Sequence, residues 1–62
     1  MLDITPIYEK INSINTNINK NIEMVGENPL ECYIYIDEIE KDYNKLLYYL
    51  DIAYILENIS PN

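Results

Sequence analysis

Few side chains in this sequence could carry chemistry, and most of them are acids and tyrosines. The chain has eleven acids against four lysines, one cysteine, and no histidine or arginine. Its net charge is −7, and most of the excess lies in the second half. Six acids crowd a short segment that contains a single lysine, and they are Glu27, Glu31, Asp37, Glu38, Glu40 and Asp42. Such a group can bind a divalent cation, dock on a basic surface, or simply face solvent.

A metal site in this segment is disfavoured by the spacing of the acids. A calcium-binding loop needs oxygen ligands at alternate positions and a central glycine for its sharp turn. Residues 37–42 place Ile39 at the third position and contain no glycine. We therefore predict no metal and no cofactor.

Enzymatic chemistry is also disfavoured, because the usual nucleophiles and bases are scarce. Ser13 and Ser60 are the only serines, and nothing basic lies beside Cys32 in the sequence. We predict no catalytic residue and expect Cys32 to be a core thiol. A single cysteine cannot form a disulfide within the chain, which suits a reducing compartment.

Two segments have the apolar spacing of helices. In the first, intervals of three and four residues separate Ile7, Ile11, Ile14, Ile18, Ile22 and Val25, a narrow stripe typical of a coiled-coil seam. Thr5 as the cap, Pro6 in the first turn and Gly26 at the end predict a helix over about residues 6–25. Asn28, Pro29 and the capping-box acid Glu31 then predict a second helix over about 29–57.

These helices predict an all-α fold in which residues 1–62 form one antiparallel helical hairpin. The second helix is the longer, so we expect its last eight to ten residues to extend beyond the first. A helical wheel assigns one face to the first helix, namely Cys32, Ile36, Ile39, Tyr43, Leu46, Leu47, Leu50, Ala53 and Tyr54.

A second apolar stripe, here called the outer stripe, comprises Leu30, Ile34, Tyr48, Ile52, Ile55 and Ile59. A hairpin of 62 residues cannot cover both faces. We therefore predict that the outer stripe mediates self-association, with two hairpins forming a four-helix bundle as a homodimer. In the alternative, the second helix breaks near Asp51 and residues 52–59 fold back as a third helix of a monomer.

The same wheel predicts an exposed strip of acids and tyrosines, here called the acidic strip, which comprises Glu31, Tyr35, Glu38, Asp42 and Tyr49. Exposed tyrosines recur at protein interfaces because they give a large contact area for little lost entropy. The leading hypothesis is a small acidic protein-binding module, an inhibitor or adaptor that occupies a basic surface of a host protein. The alternatives are a structural coiled-coil subunit of a larger assembly and a nucleic-acid mimic.

The composition also bears on partners and location. The acidic charge disfavours direct binding to nucleic acid or to an anionic membrane. No signal-peptide pattern follows Met1, and the longest apolar runs are far shorter than a membrane span, so we expect a cytoplasmic protein. Isoleucine, asparagine and tyrosine abound, as AT-rich codons would produce. We take a phage or virus as one natural source, which would place the protein in the host cytoplasm.

Overall fold

A computed structural model describes residues 3–59 as two antiparallel helices joined by a tight turn. Helix α1 spans Thr5–Glu27, a 3₁₀ turn spans Pro29–Glu31, and helix α2 spans Cys32–Ile59. The helices pack against each other to form a rod of 50 × 14 × 11 Å between Cα atoms. The predicted hairpin is confirmed. The remaining residues of the predicted 1–62 domain, 1–2 and 60–62, lie outside the described residues.

Helix α2 continues without interruption through Asp51, so the alternative of a third helix is wrong. The expected overhang is also shorter than predicted. Counted from Leu30 at the centre of the turn, α2 ends 29 residues later and α1 begins 25 residues earlier, which leaves about four residues unopposed. The prediction compared the lengths of the two helices, whereas α1 is three residues longer than predicted and residues 29–31 form the turn rather than the start of α2.

The start of α1 is capped from outside the helix. The backbone N–H of Thr5 donates to Oδ1 of Asp3 at 3.0 Å, and Thr5 is the first helical residue rather than the predicted cap. Hydrogen bonding from the Thr5 side chain, and then from its backbone N–H, lowers the pKa of Asp3 below its ordinary 3.8. A carboxylate at this position also suits the positive end of the helix dipole.

The end of α1 differs from the prediction that Gly26 would cap it. Gly26 lies inside the last turn with an ordinary helical backbone, because none of the described residues has a positive φ. Asn28 closes the helix instead, since its backbone N–H and its Nδ2 both donate to the carbonyl of Met24, at 2.9 and 3.0 Å. The Asn28 side chain makes no capping bond to the next element, which begins with a bond from Glu31 N–H to the Asn28 carbonyl at 3.1 Å.

Burial along α1 follows intervals of three and four residues. Apart from Met24, which is half-buried beside Val25, the least exposed positions form the α1 seam, which comprises Ile4, Ile7, Ile11, Ile14, Ile18, Asn21 and Val25. Ile14 and Ile18 are buried and the others are half-buried. The predicted stripe is correct except at Ile22, which is 54% exposed while the polar Asn21 occupies the seam. An unbroken seven-residue repeat, rather than hydropathy at each position, decides which side chain faces α2.

Helix α2 carries the matching repeat, the α2 seam, which comprises Cys32, Tyr35, Ile39, Asp42, Leu46, Tyr49, Ala53 and Leu56. Cys32, Ile39, Leu46 and Ala53 agree with the predicted face. The other members of that face are exposed, namely Ile36, Tyr43, Leu47, Leu50 and Tyr54. The prediction was wrong for them because the helical wheel selected the face with the highest average hydropathy. The face that contacts α1 has a lower average, since it includes the polar Asp42 and the tyrosines Tyr35 and Tyr49.

The resulting core is thin. Within residues 3–59 only Ile14, Ile18 and Ala53 are buried, and no side chain there is completely enclosed. Two helices meeting along one seam leave every side chain with solvent on at least one flank. Large apolar side chains consequently remain exposed along most of α2.

Candidate functional site

The two seams divide the rest of the hairpin surface into two broad faces. The residue before each seam residue lies on one flank of its helix, and the residue after each seam residue lies on the other. Two antiparallel helices are related by an approximate two-fold axis that is perpendicular to the plane containing both helix axes. Equivalent positions of the two repeats therefore share a face. Sequence position relative to the seam thus identifies the face on which each exposed side chain lies.

The face built from residues that precede the seams is here called the charged face. It holds all four lysines of the chain, Lys10, Lys20, Lys41 and Lys45. Glu31 and Glu38 precede seam residues on α2 and are exposed on the same face. They are one heptad apart, about 10 Å along the helix axis, and so present two carboxylates in line.

Only part of the acidic strip is exposed to solvent. Glu31 and Glu38 are exposed, as predicted. Tyr35, Asp42 and Tyr49 are α2 seam residues and are half-buried against α1, so the expectation that they are fully exposed is wrong. Asp42 is only half-buried, and within the described chain no buried side-chain nitrogen or oxygen lacks a hydrogen-bond partner. The Asp42 carboxylate is therefore not shut off from water without a partner.

Most of the outer stripe lies on the charged face as well. Ile34, Tyr48 and Ile55 precede seam residues and are exposed, and Ile59 is exposed one heptad after Ile52. Ile52 is half-buried. Leu30 stands apart at the tip of the turn, where it is 94% exposed. The rings of Tyr48 and Tyr49 meet edge to face with their centroids 5.4 Å apart.

The acids of α2 are held loosely. Lys41 Nζ lies 3.5 Å from Asp37 Oδ2 and 3.8 Å from Glu38 Oε1, and all three side chains are more than half exposed. Ion pairs this exposed contribute little stability, so a partner's arginine could replace Lys41 on these carboxylates at small energetic cost.

Other kinds of site find little support in the described part of the chain. Between residues 3 and 59 no three acidic or cysteine side chains converge on a possible metal position. Cys32 is half-buried at the start of α2. An open hollow at the turn is lined by Glu27, Asn28, Pro29, Leu30 and Glu31. Neither α1 nor α2 combines the length and the apolar character that crossing a membrane requires.

Comparison of the chain with protein-family models, with curated proteins and with solved structures finds no match. The arrangement of the two faces therefore has to be interpreted from its own chemistry. Sequence reasoning placed the acidic strip and the outer stripe on separate surfaces, whereas the structure brings Glu31 and Glu38 together with Ile34, Tyr48 and Ile55. The signal that could have revealed this is the uninterrupted repeat through Asn21 and Asp42.

Proposed function

We propose that this chain is a non-enzymatic protein-binding module, an inhibitor or adaptor that occupies a basic surface of another protein through its charged face. One observation carries the proposal. On that face, exposed acids and exposed apolar side chains lie along α2 and the 3₁₀ turn that leads into it. Glu31 and Glu38 lie toward the turn, and Tyr48 and Ile55 lie toward the other end. Exposed acids steer a basic partner toward the surface, and an exposed tyrosine is a frequent anchor of protein interfaces.

The expectation of a basic partner rests on the line formed by Glu31 and Glu38, because the face as a whole also carries the four lysines. Asp37 adds an exposed carboxylate beside Glu38, and Lys41 lies near both. A matching surface would present lysines or arginines about 10 Å apart, with an apolar patch about three helical turns beyond them. We separately propose that the hairpin dimerises into a four-helix bundle, which would display two charged faces on one particle.

Reversing the charge of the two aligned acids tests the proposal. We expect the Glu31→Lys, Glu38→Lys variant to lose at least tenfold in partner affinity, because like charges would then face each other across the interface. The matched control is Glu9→Lys, Glu23→Lys, which makes the same charge change at exposed positions of α1. Each variant is immobilised and exposed to an extract of the native cells, and the retained proteins are quantified by mass spectrometry.

The expected result is a basic protein that wild type and the α1 control retain equally and the α2 variant loses. Equal retention by both variants would contradict the proposal. Retention of the chain alone would support a second function, that of a structural coiled-coil subunit. That function is favoured by the second row of exposed apolar side chains along α2, at Ile36, Tyr43 and Leu50.

A further inference from the structure

The largest group of exposed apolar side chains lies opposite the charged face. On α2 the residues that directly follow seam residues are spaced by three and four, like the seam itself. Two of these residues, Glu40 and Glu57, are acids. The others are large, apolar and exposed, namely Tyr33, Ile36, Tyr43, Leu47, Leu50 and Tyr54. A helix with two adjacent apolar seams is built to contact two neighbouring helices.

Helix α1 extends the same face. Tyr8 and Ile22 are the large apolar side chains of α1 that remain exposed, and both directly follow seam residues. By the two-fold relation of the helices they lie on the same side of the hairpin as the second row of α2. The positions between them are small or neutral, including Asn12, Asn15 and Asn19. We call this combined surface the apolar face.

Charge is almost absent from the apolar face. Among the described positions that follow seam residues, only Glu40 and Glu57 are charged, and the lysines all precede seam residues. The other acids lie on the charged face, in the seam or on the outer edges. A molecule with a net charge of −7 can therefore approach a second copy across this face without bringing the bulk of its acids together.

We propose that the apolar face is the surface on which a second copy of this chain packs, face to face, to form a four-helix bundle. The Cα atoms of the hairpin span 50 by 14 Å, a flat outline of roughly 700 Å², so a contact along the whole rod is of the same order as the roughly 800 Å² per partner of a standard stable interface. A second copy has the same length and presents the same charge-poor rows. It also encloses Ile36, Tyr43 and Leu50, which the thin core of one hairpin leaves in solvent.

This assignment differs from the self-association surface predicted from sequence. Most of the outer stripe lies on the charged face, which stays outward in the proposed bundle and remains open to another protein. The dimer proposal does not rest on the proposed function. A chain that dimerises through the apolar face could still fail to bind a basic partner.

Two pairs of substitutions with matched exposure separate the two faces. Ile36→Asp with Leu47→Asp places charges on the apolar face, whereas Ile34→Asp with Ile55→Asp places them on the charged face. In one hairpin Ile36 and Ile34 are 50% and 46% exposed, and Leu47 and Ile55 are each 47% exposed. The intrinsic effects of the two pairs on a single hairpin are therefore alike, and a difference in association reports the interface.

The mass in solution is measured by sedimentation equilibrium at about 50 μM, a concentration at which an interface of standard size is expected to be populated. We expect wild type and the Ile34, Ile55 variant to have the mass of two chains, each of 7.4 kDa. We expect the Ile36, Leu47 variant to have the mass of one chain. A wild-type mass of one chain would overturn the proposal, and so would a single-chain mass for the Ile34, Ile55 variant with the other pair still dimeric.

The apolar-face variant could lose its fold together with its partner, which circular dichroism would show. In that case the dimer is tested on the wild-type chain alone. If folding and dimerisation are coupled, the Tm of wild type rises with protein concentration, by several degrees between 5 and 500 μM. A Tm that stays constant over this hundredfold range would show a self-sufficient single hairpin and would refute the dimer.

Discussion

At the scale of single residues, the hairpin is specified by side chains that act on the backbone as much as by apolar ones. Asp3 accepts the first free N–H of α1, and Asn28 donates twice to the carbonyl of Met24 at its end. Both contacts satisfy groups that a helix terminus leaves without partners. They explain why α1 extends beyond the range that Pro6 and Gly26 indicated.

Gly26 provides a test of this description of the end of α1. Its backbone is helical, and a methyl group added at its Cα would meet nothing within 4 Å. We expect Gly26→Ala to raise the free energy of unfolding by roughly 0.5–1 kcal/mol, because glycine is about that much less favourable than alanine in a helix. Urea denaturation followed by circular dichroism measures the change. A loss of stability would instead indicate that position 26 needs a left-handed backbone.

At the scale of the helices, the sequence predicts the elements well and their contact line less well. The spacing of Ile7, Ile11, Ile14 and Ile18 is sufficient to predict α1, since no other secondary structure buries positions three and four apart. On α2 apolar residues occur on three sides, so hydropathy alone cannot choose the side that faces α1. Only the continuity of the repeat through Asp42 identifies it.

Substitution of Asp42 tests that contact line. Asp42 is half-buried in the α2 seam, whereas Asp37 is exposed on the same helix. We expect Asp42→Leu to stabilise the fold by about 1 kcal/mol more than Asp37→Leu, because only the former adds apolar area to the packing between the helices. The two variants share the change in helix propensity and charge, so their difference in urea denaturation isolates the packing. Equal effects would contradict the assignment of Asp42 to the seam.

The candidate site could be predicted in its chemistry but not in its geometry. Composition alone indicates an acidic, tyrosine-rich surface suited to a basic protein. It cannot show that Tyr35 and Tyr49 are seam residues, because tyrosine is accepted both in a thin core and on a surface. Nor can it show that Ile34 and Ile55 share a face with Glu31, which depends on the seam.

At the scale of the whole molecule, excess negative charge opposes the compact state. Eleven acids face four lysines, and the ion pairs found between residues 3 and 59 are the exposed pairs of Lys41. We expect the Tm to rise by a few degrees between 20 and 500 mM NaCl, since screening weakens the repulsion more than it weakens those pairs.

The matched control for this salt effect is Glu9→Gln with Glu23→Gln, which removes two exposed charges from α1. Its Tm in low salt should exceed that of wild type, and its gain on adding salt should be smaller. Differential scanning calorimetry at fixed protein concentration measures both. A wild-type Tm that falls on adding salt would show that attraction, not repulsion, dominates the charge of this fold.

The antiparallel course of the rod has a topological consequence. Thr5 and Ile59 lie at one end, and the turn with Leu30 projects at the other, up to 50 Å away. A hairpin of this shape can be spliced into a surface loop of an unrelated carrier, because both junctions emerge side by side. It would then stand out from the carrier as a rigid spike whose distal tip is free of any attachment.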